Sequence, residues 1–177
     1  MVGMHPGRLS PWTSTFGSCY LQGCPCGFYG DTTRQCRCTG AIIQRYLSKI
    51  SGPLLDRIDL HIEVPAVPYQ ELRGKDDGVT SAEIRARVEG ARAIQHARGF
   101  CNAQIPVRQL RKLCALDEAG ERMLETAVRR MGLSARAHDR ILKVARSIAD
   151  LGSEDRVTAK HLAEAVHYRS LDRNYWQ

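Results

Sequence analysis

The amino-acid sequence predicts a mainly α chain. A bundle of about four or five short helices occupies residues 80–169, and a smaller mixed segment with a Cys-rich loop precedes it. Three observations carry this prediction. From residue 84 onward apolar residues recur every three or four positions, the period of one helix face. The stretches open on Thr, Asp, Ser or Pro, and several close on Gly, residue types that satisfy first turns and stop last ones. Period-two alternation, the mark of a strand, is confined to Ile58, Leu60, Ile62 and Val64.

Taken in chain order, residues 1–22 are rich in Gly, Pro, Ser and Thr without either period, and read as an irregular N-terminus. The Cys-rich loop spans 24–38. Thr39 then caps a helix carrying Ala41, Ile42, Ile43, Tyr46 and Leu47, which Ser51-Gly52-Pro53 ends. Residues 54–57 make a short helical turn and 58–64 a strand, closed by Pro65 and Pro68. The polar stretch 73–79 has the composition of a linker, so one domain is expected over 23–72 and another from residue 80.

Thr80-Ser81-Ala82-Glu83 has capping-box spacing and opens a helix with Ile84, Val88, Ala91 and Ile94 on one face, stopped by Gly99. Pro106 suits the first turn of a helix with Leu110 and Leu113. Asp117 caps the next, which carries Met123, Leu124, Ala127 and Val128 and stops at Gly132. Ser134 caps a helix whose stripe is Ala137, Ile141, Val144, Ile148 and Leu151, ended by Gly152. Thr158 begins the last, with Leu162, Ala165 and Val166 inward. None of these helices is long enough to be stable unpacked, so the segment must bury its faces as an orthogonal bundle.

Of the 177 residues 43% are hydrophobic, enough for a packed core, and no apolar run reaches the roughly 20 residues of a bilayer span. A membrane helix is thereby excluded. Residues 1–17 hold no secretory apolar stretch, so a cytoplasmic location with reduced cysteines is expected. A net charge of +7 and a pI near 9.2 point toward polyanions. Acidic and basic residues interleave, however, as in Glu83-Ile84-Arg85 and Glu121-Arg122, and a solvated helical surface accounts for most of the excess.

Three constellations could carry chemistry. Cys24-Pro25-Cys26 and Cys36-Arg37-Cys38 flank turn-forming Gly27, Gly30 and Asp31, so four thiolates could converge on a tetrahedral Zn²⁺. One intervening residue, instead of the usual two, places side chains of an extended segment on opposite faces; convergence therefore needs a sharp turn, and free thiols are the alternative. Cys19, Cys101 and Cys114 are isolated and read as small buried residues. Arg57 stands at a helix-to-strand junction in Leu54-Leu55-Asp56-Arg57-Ile58-Asp59-Leu60. A fixed guanidinium there suits a transferring phosphoryl group, and a salt bridge to Asp56, Asp59 or Glu63 is the competing use. Arg136, Arg140 and Lys143 share the helix face opposite the apolar stripe. Arg136 in a first turn opposes the helix dipole, an arrangement that favours a docked phosphate, with a solvated basic face as the alternative. His138 reads as a surface side chain.

Cys24-Pro25-Cys26-Gly27-Phe28-Tyr29-Gly30-Asp31, Cys36-Arg37-Cys38-Thr39, Ile43-Gln44-Arg45-Tyr46-Leu47 and Ser51-Gly52-Pro53 running through Leu60 together resemble the Mg-chelatase-like AAA+ ATPases of the ComM/YifB type. Asn102-Ala103-Gln104-Ile105-Pro106, Leu133-Ser134-Ala135-Arg136-Ala137, Arg140-Ile141-Leu142, the run from Ala145 to Leu151, and Tyr168-Arg169-Ser170-Leu171-Asp172-Arg173 are similar to that family's C-terminal helical lid. Gln22-Gly23 stands where the family has Asn-Pro, and Ile58 where it has Phe.

The resemblance implies a lid over 80–173, a remnant of the α/β ATPase core over 23–72 and a tail at 174–177. It implies Arg57 as an arginine finger acting in trans and Arg136 as sensor 2; Arg140, on the same helix face as Arg136, is the weaker candidate for a nucleotide contact. It further implies ATP and Mg²⁺ as cofactors, intact subunits of a homo-oligomeric, hexameric ring as partners, and DNA branch migration as the work of the ComM branch. No G-x-x-x-x-G-K-[ST] or acidic Walker-B strand is present in the sequence. The expectation is therefore a C-terminal fragment, from a truncated or frame-shifted gene, inactive alone and able to complement an intact subunit. The competing expectation is a free-standing Zn-containing helical module that binds nucleic acid or protein.

Overall fold

The computed structural model describes residues 23–31, 34–49, 51–62, 64, 67 and 78–169. The expected irregular N-terminus, the tail and residues 73–77 of the expected linker lie outside them. The described residues are helical, with no strand among them. They fall into two compact units, the first reaching Ser51 and the second comprising Gly52–Val64 together with the helices from residue 78 onward.

In the first unit a turn-rich loop leads into helix α1, Gly40–Leu47, which starts after extended Thr39. The second unit opens with the single turn α2, Gly52–Leu55. Its bundle comprises α3 (Ser81–Ala97), a 3₁₀ turn at Asn102–Gln104, α4 (Val107–Leu113), α5 (Glu118–Met131), α6 (Ala135–Leu151) and α7 (Ala159–His167). No helix among the described residues is long and apolar enough to cross a membrane.

Local chemistry sets the helix starts. The Thr80 hydroxyl accepts from the Glu83 amide at 3.3 Å while the Glu83 carboxylate accepts from the Thr80 amide at 2.8 Å, the reciprocal capping box. The Asp117 carboxylate accepts from the Gly120 amide at 2.8 Å and the Ser134 hydroxyl from the Ala137 amide at 3.1 Å. The stops at Gly99 and Gly132 adopt left-handed backbone, with φ of 91° and 61°. At the end of α6 the left-handed residue is Ser153, at φ 55°, and not Gly152.

Helix α6 is the centre of the bundle, packing against α3, the 3₁₀ turn, α4 and α7, while α5 packs on α7. The core joins Ile141, Leu142, Ala145 and Ala149 of α6 to Ile105, Leu110, Cys114, Leu124, Val157, Leu162 and Ala165. Each fully buried Ile or Leu contributes about 1.5–3 kcal/mol relative to its exposed state. The expected stripe on α3 departs from this pattern. Ile84 and Val88 remain 50% and 43% exposed, and Ala91 is the buried residue of that helix. A small side chain lets α3 approach α6 closely there.

The expected strand at 58–64 also differs. Its described residues form no ladder, and Leu60, Ile62 and Val64 stay exposed. A strand exists only by pairing, and no second strand is present among the described residues. Side chains and one backbone group of the bundle bind this stretch instead.

The core also encloses charge. Asp150, 1% exposed, accepts from Arg98 Nη2 at 2.5 Å, Arg98 Nη1 at 2.9 Å, Asn102 Nδ2 at 2.7 Å and Arg146 Nε at 3.1 Å. Arg146, equally buried, also donates to the carbonyls of Asp155 and Glu154, closing the loop after α6. Burial pushes the Asp150 carboxyl up, but the hydrogen bonds from Arg98 and Asn102 and the charge of Arg146 outweigh it, leaving it below the usual aspartate range. The stabilisation is therefore complete above the unfolded value of about 3.9 and is lost as pH falls through the lower folded value. Urea denaturation at pH 7 should show Asp150→Ala to be less stable by about 3–5 kcal/mol, because two cations lose their counter-charge. The gap between variant and parent should narrow below about pH 4.

Candidate functional site

The loop at 24–38 brings its four thiols together. A turn closed by the Gly27 amide donating to the Cys24 carbonyl at 3.1 Å reverses the chain across Pro25 and Cys26. Gly27 then takes φ 79° and Gly30 φ 84°, a backbone region L side chains seldom enter. This is the sharp turn that one-residue spacing demands. The Sγ atoms of Cys24 and Cys26 lie 3.2 Å apart, Cys26 and Cys36 3.5 Å, and Cys24 and Cys36 3.7 Å. All four, including Cys38, fall within 4.8 Å of one another.

A tetrahedron with Zn–S bonds of about 2.3 Å has sulfur edges of about 3.8 Å, so this geometry fits a four-thiolate metal centre with small adjustments. Cys24 is fully buried and its three partners half-buried. The Arg34 guanidinium sits 5.3 Å from the Phe28 ring centre, covering the other end of the loop.

Proton sharing among the thiols is uneven. The Phe28 amide and then the Cys24 thiol hydrogen-bond to Cys26 and bring it down to about 6. At Cys36 a backbone hydrogen bond at Cys38 pulls down, but burial and the thiols of Cys26, Cys24 and Cys38 prevail and push it up to about 12. At Cys38 a backbone hydrogen bond at Cys26 pulls down and is likewise overcome by burial and by the Cys26 and Cys24 thiols. Negative charge is favoured at Cys26, while Cys36 and Cys38 hold their protons more tightly. A bound cation would release those protons and equalise the four ligands.

The second cluster lies in the bundle unit. Arg57 follows α2 and is exposed, and its guanidinium makes no ion pair with a described residue. Two of its three expected competitors are engaged elsewhere: Asp56 by Ser134 and Arg169, and Asp59 by Arg140. Glu63 lies outside the described residues. Arg136 is exposed in the first turn of α6, a turn without an acidic residue.

Arg140 is held instead of presented, donating through Nη1 to the Arg57 carbonyl at 2.6 Å and pairing with Asp59. Lys143 donates to the Ala103 carbonyl at 2.9 Å. The expected basic face of α6 is thus free at Arg136 and occupied at the next two cations. His138 pairs with Asp139 at 3.0 Å, in keeping with a surface role. Sequence reasoning missed Arg169, buried and donating to the Ile58 carbonyl at 2.5 Å. Its signal was an arginine at the close of an apolar helix, within a segment already matched to the family.

Residues 78–169 match the family described as magnesium chelatase, subunit ChlI C-terminal, and residues 19–72 match magnesium chelatase, subunit ChlI. The chain is similar to the competence protein ComM of Haemophilus influenzae, at 44% identity over 84% of this chain and 29% of that protein. It is similar to the YifB protein of Salmonella typhimurium, at 42% identity over 77% of this chain and 28% of that one. The YifB protein of Escherichia coli gives the same identity and coverage. The chain thus spans less than a third of the length of these relatives.

The thiol ordering is open to measurement. In metal-free protein at pH 7, iodoacetamide should modify Cys26 well before Cys36 or Cys38, as followed by peptide mass spectrometry, because the thiolate is the reacting species.

Proposed function

Since the chain belongs to the Mg-chelatase-like family of the ComM/YifB type and contains its C-terminal domain, we propose that it supplies the in-trans side of an ATP site in an AAA+ ring. Arg57 is the arginine finger that reaches a nucleotide held by a neighbouring subunit, and Arg136 is the sensor that couples α6 to that nucleotide. The observation that carries this reading is the exposed Arg57 guanidinium, left unpaired among the described residues while both flanking aspartates are bound by the bundle.

A permanently charged planar fork meets the equatorial oxygens of a transferring phosphoryl group, and such a finger accelerates hydrolysis by roughly 10³–10⁵. Arg136 adds charge at a helix start whose free amides already attract anions. The cradle for the phosphates and the Mg²⁺ ligands would come from polypeptide outside these 177 residues, since the sequence has no P-loop motif. Cys24, Cys26, Cys36 and Cys38 would hold a structural Zn²⁺ whose role is to order a loop with little core of its own. DNA is the proposed substrate of the assembled ring, following the branch-migration role that the family resemblance implies.

Added to a full-length relative such as the Haemophilus influenzae competence protein, the chain should change the rate of ATP hydrolysis through mixed rings. Arg57→Ala should cut its contribution by at least about a thousandfold, to background, with its helical content intact. Equal activity of the variant and parent would defeat the finger assignment. Elemental analysis of protein purified under reducing conditions should find about one Zn per chain, and Cys36→Ser should remove it. Chelation should speed amide exchange within residues 24–38 and leave α6 protected.

A further inference from the structure

We infer that Arg140 is a positioning residue that fastens the finger segment to α6, not a ligand of the nucleotide. The inference rests on the reading of Arg57 as the finger.

Four consecutive residues offer acceptors, and the bundle takes all four. The Asp56 carboxylate accepts from the Ser134 hydroxyl at 2.9 Å and faces Arg169 at 3.7 Å. The Arg57 carbonyl accepts from Arg140 at 2.6 Å, the Ile58 carbonyl from Arg169 at 2.5 Å, and the Asp59 carboxylate pairs with Arg140. Two residues further on, the His61 amide donates to the Tyr168 carbonyl at 2.7 Å. This stretch is therefore bound at the start of α6 and at the end of α7.

Arg140 Nη1 serves both the Arg57 carbonyl and the Asp59 carboxylate, so both of its protons are used, and a phosphate could recruit them only by releasing the segment. A single nitrogen that grips a carbonyl and a carboxylate two residues apart fixes the orientation of the peptides between them. The Arg57 carbonyl is thereby fixed while its side chain faces outward. Ser134 caps the same helix that carries Arg136, so Arg57 and Arg136 ride on one body, and a rotation of the bundle moves both.

Hydrogen–deuterium exchange on the whole chain tests this without nucleotide. Arg140→Ala should make peptides covering 56–61 exchange about tenfold faster while α6 and α7 stay protected. Asp59→Asn, which leaves α6 untouched, should loosen the same peptides. In mixed-ring assays Arg140→Ala should lower kcat about tenfold with KM for ATP unchanged, the pattern of a misplaced catalytic group. Unchanged exchange at 56–61 in both variants would overturn the inference. So would a raised KM with unchanged exchange, which would make Arg140 a nucleotide contact. If the parent chain fails to stimulate any ATPase, the finger reading fails while the exchange data still decide whether Arg140 holds the segment.

Discussion

Helix α6 has to settle a buried carboxylate at its C-terminal end while its N-terminal end meets the outside. Asp150 satisfies the first demand by drawing in Arg98 from the end of α3, Asn102 from the 3₁₀ turn and Arg146 from one turn back. These contacts tie three separate pieces of chain to one side chain, and the apolar core closes around them. Removing Asp150 would leave two guanidinium groups without their counter-charge, so the arrangement is fixed as a set. The rigidity gained there lets the far end of α6 hold a loop in a defined position. Ser134 and Arg140 act from that end on residues 56–59.

The two candidate centres use charge in opposite ways. Arg57 and Arg136 act through the planar fork of a guanidinium, so their contribution depends on where they point. In the thiol cluster charge depends on company: Cys26 ionises readily, and Cys36 and Cys38 resist until a cation arrives. An electrostatic role in phosphoryl transfer suits the first type and a metal centre the second.

What was legible in the sequence was local. Thr80, Asp117 and Ser134 cap the helices they were expected to cap, because each acts on an amide within three residues. The last helix shows the limit of that reading. Thr158 pairs with His161, whose ring nitrogen accepts from the Thr158 amide at 3.1 Å in the place usually filled by Glu or Gln. The four cysteines of the loop were legible from their grouping, whereas the reversal at Cys24–Gly27 was not, since Pro25 and Gly27 permit several turns.

Tertiary context decided the rest. On a helical wheel Arg146 and Asp150 look like solvent-facing residues, and they are buried because their partners come from elsewhere in the chain. Ile84 and Val88 have the period of a core face but stay about half exposed. Residues 58–64 have the period of a strand, yet side chains of the bundle and one backbone carbonyl hold them. Arg140 shares a helix face with Arg136, and its acceptors at Arg57 and Asp59 lie about eighty residues upstream, beyond any sequence pattern. If this chain contributes cations to phosphates cradled by other polypeptide, titrating Mg-ATP into the 177-residue protein by calorimetry should give no saturable binding at micromolar nucleotide. Tight stoichiometric binding by the chain alone would show that it holds the phosphates itself.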